Sequence, residues 1–240
     1  MPNTREEAEY PISYARVVYR DYLLLEMELA VEYAPQNFYC YVLDKKSKAT
    51  FKQQIRNLGK CFPNVFVSDN EFDTDSSGKE MNYAYMECMK ILYEYQWNYL
   101  ILLQNHDVIT KTNYEVMQIL QLFCGANDVR VQEPMMERFN ESLDWTFEGL
   151  NLLKHPDKLK IPKIAMTFAK GQAPNSLSRP MVDFMLNELN LTKILAQLEG
   201  RYGIDELLMP MLQATEELDV PGGFTRKCIE RGIAVNDITR

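Results

Sequence analysis

Apolar residues recur along this chain in two rhythms that take turns. Short runs rich in β-branched and aromatic residues, bounded by polar turns, read as buried strands; apolar residues three and four apart read as helices. Residues 12–18 form the first such run, and residues 22–33 a helical pattern. Residues 38–43 predict a second strand, 51–58 a helix and 65–67 a short third strand. A polar stretch, 69–77, ends in Ser77-Gly78-Lys79-Glu80, a capping-box pattern that predicts a helix running on through Tyr93. Residues 97–103 read as a fourth strand and 114–123 as a helix. Strands alternating with helices imply parallel β-α-β units, hence an α/β fold with a mostly parallel, twisted sheet.

Beyond this point the rhythm weakens. Residues 125–160 read as an irregular insert or acceptor-side loop, and 163–168 as a resumed strand. Residues 178–198 predict one long helix, with Ser178 as cap and Pro180 in its first turn. A further helix starts near Gly203 and holds Asp205 and Glu206, and Val220-Pro221-Gly222-Gly223 is a turn.

Two of the strand patterns close on an acidic residue, Asp44 in one and Asp107 in the other. In open α/β sheets, ligands bind outside the carboxyl ends of the strands, which places both aspartates for substrate contact. Glu206 follows Asp205 at the start of an apolar helix. Such a carboxylate is either a general base at a reacting centre or simple helix N-terminal charge. Asp73-Thr74-Asp75 is an Asp-x-Asp loop of the kind that holds a divalent cation against a diphosphate. It also lies directly before the capping box, where acidic residues favour a helix start. No Walker sequence and no G-x-G-x-x-G occurs, which removes the usual nucleotide-triphosphate and dinucleotide readings.

The net charge of −8 argues against nucleic acid, which needs a basic footprint. Five cysteines, an odd count without C-x-x-C spacing, and two histidines make a zinc site improbable and leave any disulfide pairing open. No apolar h-region stands at the start, so no signal peptide is visible and, on its face, the chain reads as cytosolic. Two sequons, at Asn140 and Asn190, point the other way, to a lumenal compartment.

The residues resemble the core-2/I-branching β-1,6-N-acetylglucosaminyltransferase family (glycosyltransferase family 14), especially its divergent nematode-type members. The resemblance runs from Tyr10-Pro11-Ile12 to about Gly223. It is carried by Pro35-Gln36-Asn37-Phe38-Tyr39-Cys40 with Leu43-Asp44, by Cys61-Phe62-Pro63-Asn64-Val65-Phe66-Val67, and by Glu87-Cys88-Met89-Lys90. Trp97-Asn98-Tyr99-Leu100-Ile101 with Asp107 and Lys111-Thr112-Asn113 extends it, as do Gly171, Ser178-Arg179 and Asp205-Glu206.

The resemblance implies a GT-A-like nucleotide-sugar fold: residues 1–9 an extension, residues 10–240 a catalytic domain. It implies inverting, metal-independent transfer of GlcNAc from UDP-GlcNAc to a 6-hydroxyl of a glycan or glycoprotein acceptor, with no cofactor. Glu206 takes the role of catalytic base, Asp44 and Asp107 contact the donor, and Gly171, Asp205 and Glu137 border the acceptor. It further implies a Golgi lumenal enzyme on a type II membrane anchor absent from this chain.

There are departures from the family pattern. The chain stops at Ile238-Thr239-Arg240, before the basic segment the family uses at the diphosphate. Gln104 stands where vertebrate members have a cysteine, and Met209 where they have a tryptophan. A rival reading is therefore a catalytically inactive member that binds glycans or a partner.

Overall fold

The structure is a computed structural model that describes residues 4–155 and 164–223. A five-stranded sheet organises it. β1 (Ile12–Val18), β2 (Phe38–Asp44), β3 (Val65–Phe72) and β4 (Tyr99–Leu103) are parallel, and β5 (Ser176–Ser178) is antiparallel to β4. The order across the sheet is β3-β2-β1-β4-β5. The chain therefore works outward from β1 in one direction, then returns to add β4 on the other side. That reversal opens a crevice at the carboxyl ends of β1 and β4, where α/β sheets bind ligands.

β1, β2 and β4 are apolar on both faces because both faces are covered, as parallel sheets require. One face (Ile12, Tyr14, Val18, Tyr41, Leu103) packs on α2 (Tyr22–Glu32), α3 (Ala49–Cys61) and α5 (Asn113–Leu122). The other (Ala15, Val17, Cys40, Val42, Leu102) packs on α4 (Met81–Tyr93) and the C-terminal helices. These are α7 (Arg179–Asn187), α8 (Thr192–Leu198) and α9 (Leu208–Ala214). The expected α/β fold, a mostly parallel sheet flanked by helices, is what the chain forms. Two short helices complete it, α1 (Arg5–Glu9) and α6 (Phe147–Leu150). The segment expected as an extension is packed down: Glu7 is buried and accepts from Asn113 Nδ2 at 2.8 Å.

A disulfide joins Cys40 on β2 to Cys88 on α4, both fully buried. Cys61 and Cys124 are free and exposed, and Cys228 lies outside the described residues.

Several local expectations give way to tertiary contacts. Ser77 does not cap α4: its hydroxyl donates to Asp75 Oδ1, and Glu80 occupies the cap position in the left-handed region. The Glu80 carboxylate accepts instead from the Asp73 N–H at 2.7 Å. The capping box is realised on α5, where Thr112 and Glu115 exchange hydrogen bonds. Residues 164–168 form no strand; Ala165 makes one isolated bridge with Thr146, and Lys163 lies outside the described residues. The fifth strand is the three-residue Ser176–Ser178, too short to show a period. The long helix of residues 178–198 is broken into α7 and α8, because Asn190 ties its N–H to the Leu152 carbonyl and its Oδ1 to the Thr192 N–H. β3 runs to Phe72, past the predicted end, with a register shift against Tyr41 and Leu43.

Candidate active site

A cavity of about 550 Å³ opens at the carboxyl ends of β1, β2 and β4. Asp44, Thr74, Gln104, Asp107 and Asp205 stand in its wall. Asn105 stitches its floor: Oδ1 accepts from the N–H groups of Tyr19 and Arg20, joining the ends of β4 and β1.

The structure brings Asp44, the last residue of β2, and Asp107, in the loop four residues past the end of β4, to this one cavity. Asp44, 6% exposed, accepts from the Lys46 N–H at 2.6 Å and from Thr74 Oγ1 at 3.1 Å, with the Lys46 ammonium 3.6 Å away. Asp107 turns one oxygen back to cap the chain, Oδ2 accepting from the Gln104 N–H at 2.7 Å. Its carbonyl accepts from Arg16 Nη1 at 2.8 Å.

Asp205 and Glu206 sit in a three-residue 3-10 turn, Ile204–Glu206, immediately before α9. Three tethers hold that turn. The Ser77 carbonyl accepts from the N–H groups of Gly203 and Ile204. Asn82 Nδ2 donates to the Ile204 carbonyl at 3.1 Å, and the Gly171 N–H donates to the Glu206 carbonyl at 2.9 Å. Gly171, expected beside the acceptor, thus lies against the turn. A Cβ there would meet the Arg130 carbonyl oxygen at 2.0 Å and Pro210 Cγ at 2.7 Å, so only glycine fits.

The two carboxylates of the turn have different surroundings. Asp205 Oδ2 accepts from Gln104 Nε2 at 3.0 Å. Burial pushes the Asp205 carboxyl up to about 6; the neighbouring Glu206 charge adds to the rise, while backbone hydrogen bonds and Arg138 oppose it. Glu206 is one-third exposed, and Oε2 accepts from Arg138 Nη1 at 2.6 Å. The Arg138 guanidinium stands 5.7 Å from the centre of the Tyr202 ring. Arg138 belongs to the 3-10 turn Met136–Arg138, so the irregular insert delivers a cation directly to Glu206. Glu137, on the same turn, is exposed.

The Asp-x-Asp loop is engaged internally. Hydrogen bonds from Lys46 and Lys79 hold the Asp73 carboxyl down to about 2. Asp75 accepts from the N–H and hydroxyl of Ser77, which lower its carboxyl too. Among the described residues, no group of three or more His, Cys, Asp or Glu side chains is arranged to hold a metal. His106 pairs with Asp21 at 2.7 Å on the surface. At the two sequons, Asn140 Oδ1 accepts from Ser142 Oγ at 2.7 Å and Asn190 Oδ1 from the Thr192 N–H at 3.2 Å.

The roles of Arg16 and Gln104 are what sequence reasoning missed. Arg16 is a charged residue in an apolar strand, which is a visible signal. Gln104 shows only as a departure from the family pattern.

Comparison with known proteins agrees with this architecture. The profile of the family described as Core-2/I-Branching enzyme matches residues 12–237. A human protein named beta-1,3-galactosyl-O-glycosyl-glycoprotein beta-1,6-N-acetylglucosaminyltransferase is 32% identical over 227 residues, 93% of this chain and 52% of that protein. The Bos taurus protein of the same name is 32% identical over 228 residues, 93% and 53% respectively. A Rattus norvegicus protein of that name numbered 3 is 29% identical over 218 residues, 89% and 49%. The chain spans about half the length of these curated relatives. With the profile covering most of its length, this chain belongs to the core-2/I-branching enzyme family.

Proposed function

We propose that the chain carries the catalytic core of an inverting, metal-independent glycosyltransferase that moves GlcNAc from UDP-GlcNAc to a 6-hydroxyl of a glycan or glycoprotein acceptor. One observation carries the reading. Glu206, a partly buried carboxylate paired with Arg138 at 2.6 Å, directly follows Asp205, which lines the cavity at the sheet's switch point. The names of the relatives, all N-acetylglucosaminyltransferases, support the donor.

In this mechanism Glu206 accepts the proton of the acceptor 6-hydroxyl as that oxygen attacks C1 of the sugar. The C1–O bond to UDP breaks with inversion, through an oxocarbenium-like transition state. Asp44 and Asp107 border the donor, and Gly171, Asp205 and Glu137 the acceptor side. The departing diphosphate needs positive charge, and the Lys46 ammonium stands 3.6 Å from Asp44, bonded to Asp73 and the Thr74 carbonyl. The ion pairs on Asp73 support a site without a cation between protein and diphosphate.

The buried Cys40–Cys88 disulfide fits an oxidising compartment, which supports a Golgi lumenal protein, anchored as type II, with glycans at Asn140 and Asn190. No helix among the described residues is long and apolar enough to cross a membrane.

The test is transfer from UDP-GlcNAc to a panel of glycan acceptors, with and without EDTA. EDTA-resistant transfer that falls by about 10²–10⁴-fold in Glu206→Gln supports the reading. Transfer abolished by EDTA, or untouched in Glu206→Gln, overturns it. Binding of UDP and glycan without turnover assigns the chain to an inactive, glycan-binding member instead.

A further inference from the structure

The cavity wall carries an amide that the mechanism above leaves unused. Gln104 directly follows β4, and its backbone is mounted firmly. Its N–H donates to Asp107 Oδ2 at 2.7 Å, and the Asp107 N–H donates back to the Gln104 carbonyl at 3.3 Å. Arg16, buried in β1, grips the Asp107 carbonyl at 2.8 Å and fixes this turn to the centre of the sheet. From that mount the Gln104 side chain reaches across 101 residues of sequence to donate to Asp205 Oδ2. The other oxygen of Asp205 rests on Gly78, whose φ is +85° and where a Cβ would stand 2.2 Å from Oδ1. Asp205 is thereby gripped from two sides, and the next residue along the chain is Glu206.

We propose that Gln104 is a positioning residue: its amide locks the Asp205 carboxylate and so sets the orientation of Glu206 towards the acceptor hydroxyl. The proposal rests on the reading of Glu206 as general base. The turn's backbone is held by its own 3-10 hydrogen bonds, Glu206 N–H to the Gly203 carbonyl and Leu207 N–H to the Ile204 carbonyl, both at 3.2 Å, and the anchor at Asp205 adds a side-chain restraint one residue before Glu206.

The lock is built for an ionised Asp205, because a hydrogen bond donated to a carboxylate favours its charged form. The charged and titratable groups facing Asp205 are Glu206 on its own turn, Arg138 on the 136–138 turn and Asp107 in the loop past β4. Tyr85 on α4 and Asp75 across the cavity complete the set. The Asp205 carboxylate also accepts from the backbone N–H groups of Asp205 and Glu206, and the contact from the Gln104 side chain can be removed by substitution without changing the charge of the site. As pH falls and Asp205 takes a proton, the lock weakens and Glu206 loses its aim.

The experiment compares the wild type with Gln104→Leu and Gln104→Glu. For Gln104→Leu we expect kcat to fall about ten-fold with little change in KM for UDP-GlcNAc, as misplacement of a reacting group does. The Asp205 carboxyl titrates at higher pH, because a hydrogen bond to its charged form is gone, and the acid limb of kcat no longer follows that titration, because the lock is already absent. Gln104→Glu places a second carboxylate beside Asp205 and raises its titration further. Carbon-13 NMR of the aspartate carboxyls, assigned with Asp205→Asn, follows the Asp205 titration directly and needs no turnover. An unchanged acid limb and an unchanged Asp205 titration in Gln104→Leu overturn the proposal, whatever happens to the melting temperature. A wild type without transfer refutes the base reading separately, and the NMR titration then still decides whether Gln104 holds Asp205.

Discussion

Arg138 Nη1 lies 2.6 Å from Glu206 Oε2, an ion pair between two residues 68 positions apart in sequence. The Arg138 side chain is 14% exposed and that of Glu206 33%, so the pair is screened on one side only. In the proposed mechanism this arginine orients the carboxylate, and the second oxygen meets the acceptor hydroxyl. Arg138→Gln removes that guide. We expect kcat/KM to fall by about 10²-fold, while stability falls by about 1 kcal/mol and Tm by roughly 3 °C. Arg138→Lys restores the charge without the planar fork that faces the Tyr202 ring, and falls in between. Steady-state kinetics of the three proteins against thermal unfolding separates guidance from stability.

The second prediction concerns a charge cluster buried behind the site. Arg16 pairs with Glu28 at 2.6 Å and lies 3.8 Å from Glu32, with all three side chains at most 10% exposed. Burial pushes the Glu32 carboxyl up to about 7, although Arg16 opposes the rise. The folded state therefore holds a proton on Glu32 that the unfolded state has released between roughly pH 4.5 and 7. Stability from this group is full below the unfolded value and is lost as pH rises through the folded one, a change on the order of 3 kcal/mol. Burial raises Asp205 and Glu28 in the same direction. Urea unfolding should show stability falling from pH 5 to 7.5, with a flatter profile in Glu32→Gln. Equal slopes in the two proteins exclude Glu32 as the source.

How much of this was legible in the sequence depends on the range of the contacts. β1, β2 and β4 were readable because each is buried on both faces, so the apolar run is continuous. Asp44 was readable with them, since it closes β2; Asp107, expected at a strand end, lies in the loop past β4. The capping box was misplaced at Ser77 because its hydroxyl prefers Asp75, two residues away, and Glu80 reaches the Asp73 N–H. The same reciprocal motif at Thr112 and Glu115 went unread. The break between α7 and α8 comes from the Leu152 carbonyl, which no helical period can reveal. The partners of Gln104, Arg138 and Cys40 were hidden for one reason: each lies 48 to 101 residues distant and is brought near only by the fold.

The disulfide supplies the third prediction. Its sulfurs lie between β2 and α4, and the loop it closes spans 48 residues. In the chain-entropy picture a loop of that size contributes about 4 kcal/mol by restricting the unfolded chain. Cys40→Ala with Cys88→Ala should lower stability by that order. Because both cysteines are fully buried, mild reductant should leave the native protein oxidised until it unfolds. Mass spectrometry of alkylated protein, with and without urea, checks this. Ready native-state reduction contradicts the burial.

Gly171 gives the last prediction, because it joins packing to chemistry at one backbone atom. Its N–H holds the Glu206 carbonyl at 2.9 Å, and a Cβ would collide with the Arg130 carbonyl at 2.0 Å. Gly171→Ala must push the strand of chain at Arg130 and the turn at Glu206 apart. Overpacking of this kind costs about 1–3 kcal/mol, and here the displaced backbone carries Glu206, the proposed base. Gly125 is the control. It has a φ of +88° and open space around it, so Gly125→Ala costs about 1 kcal/mol through backbone strain alone. Both variants should melt earlier than the wild type. Only Gly171→Ala should lose transfer, by about ten-fold or more at a temperature where both are folded. Equal activity in the two variants would mean that the Gly171 contact serves stability and leaves the aim of Glu206 to Asp205 and Arg138.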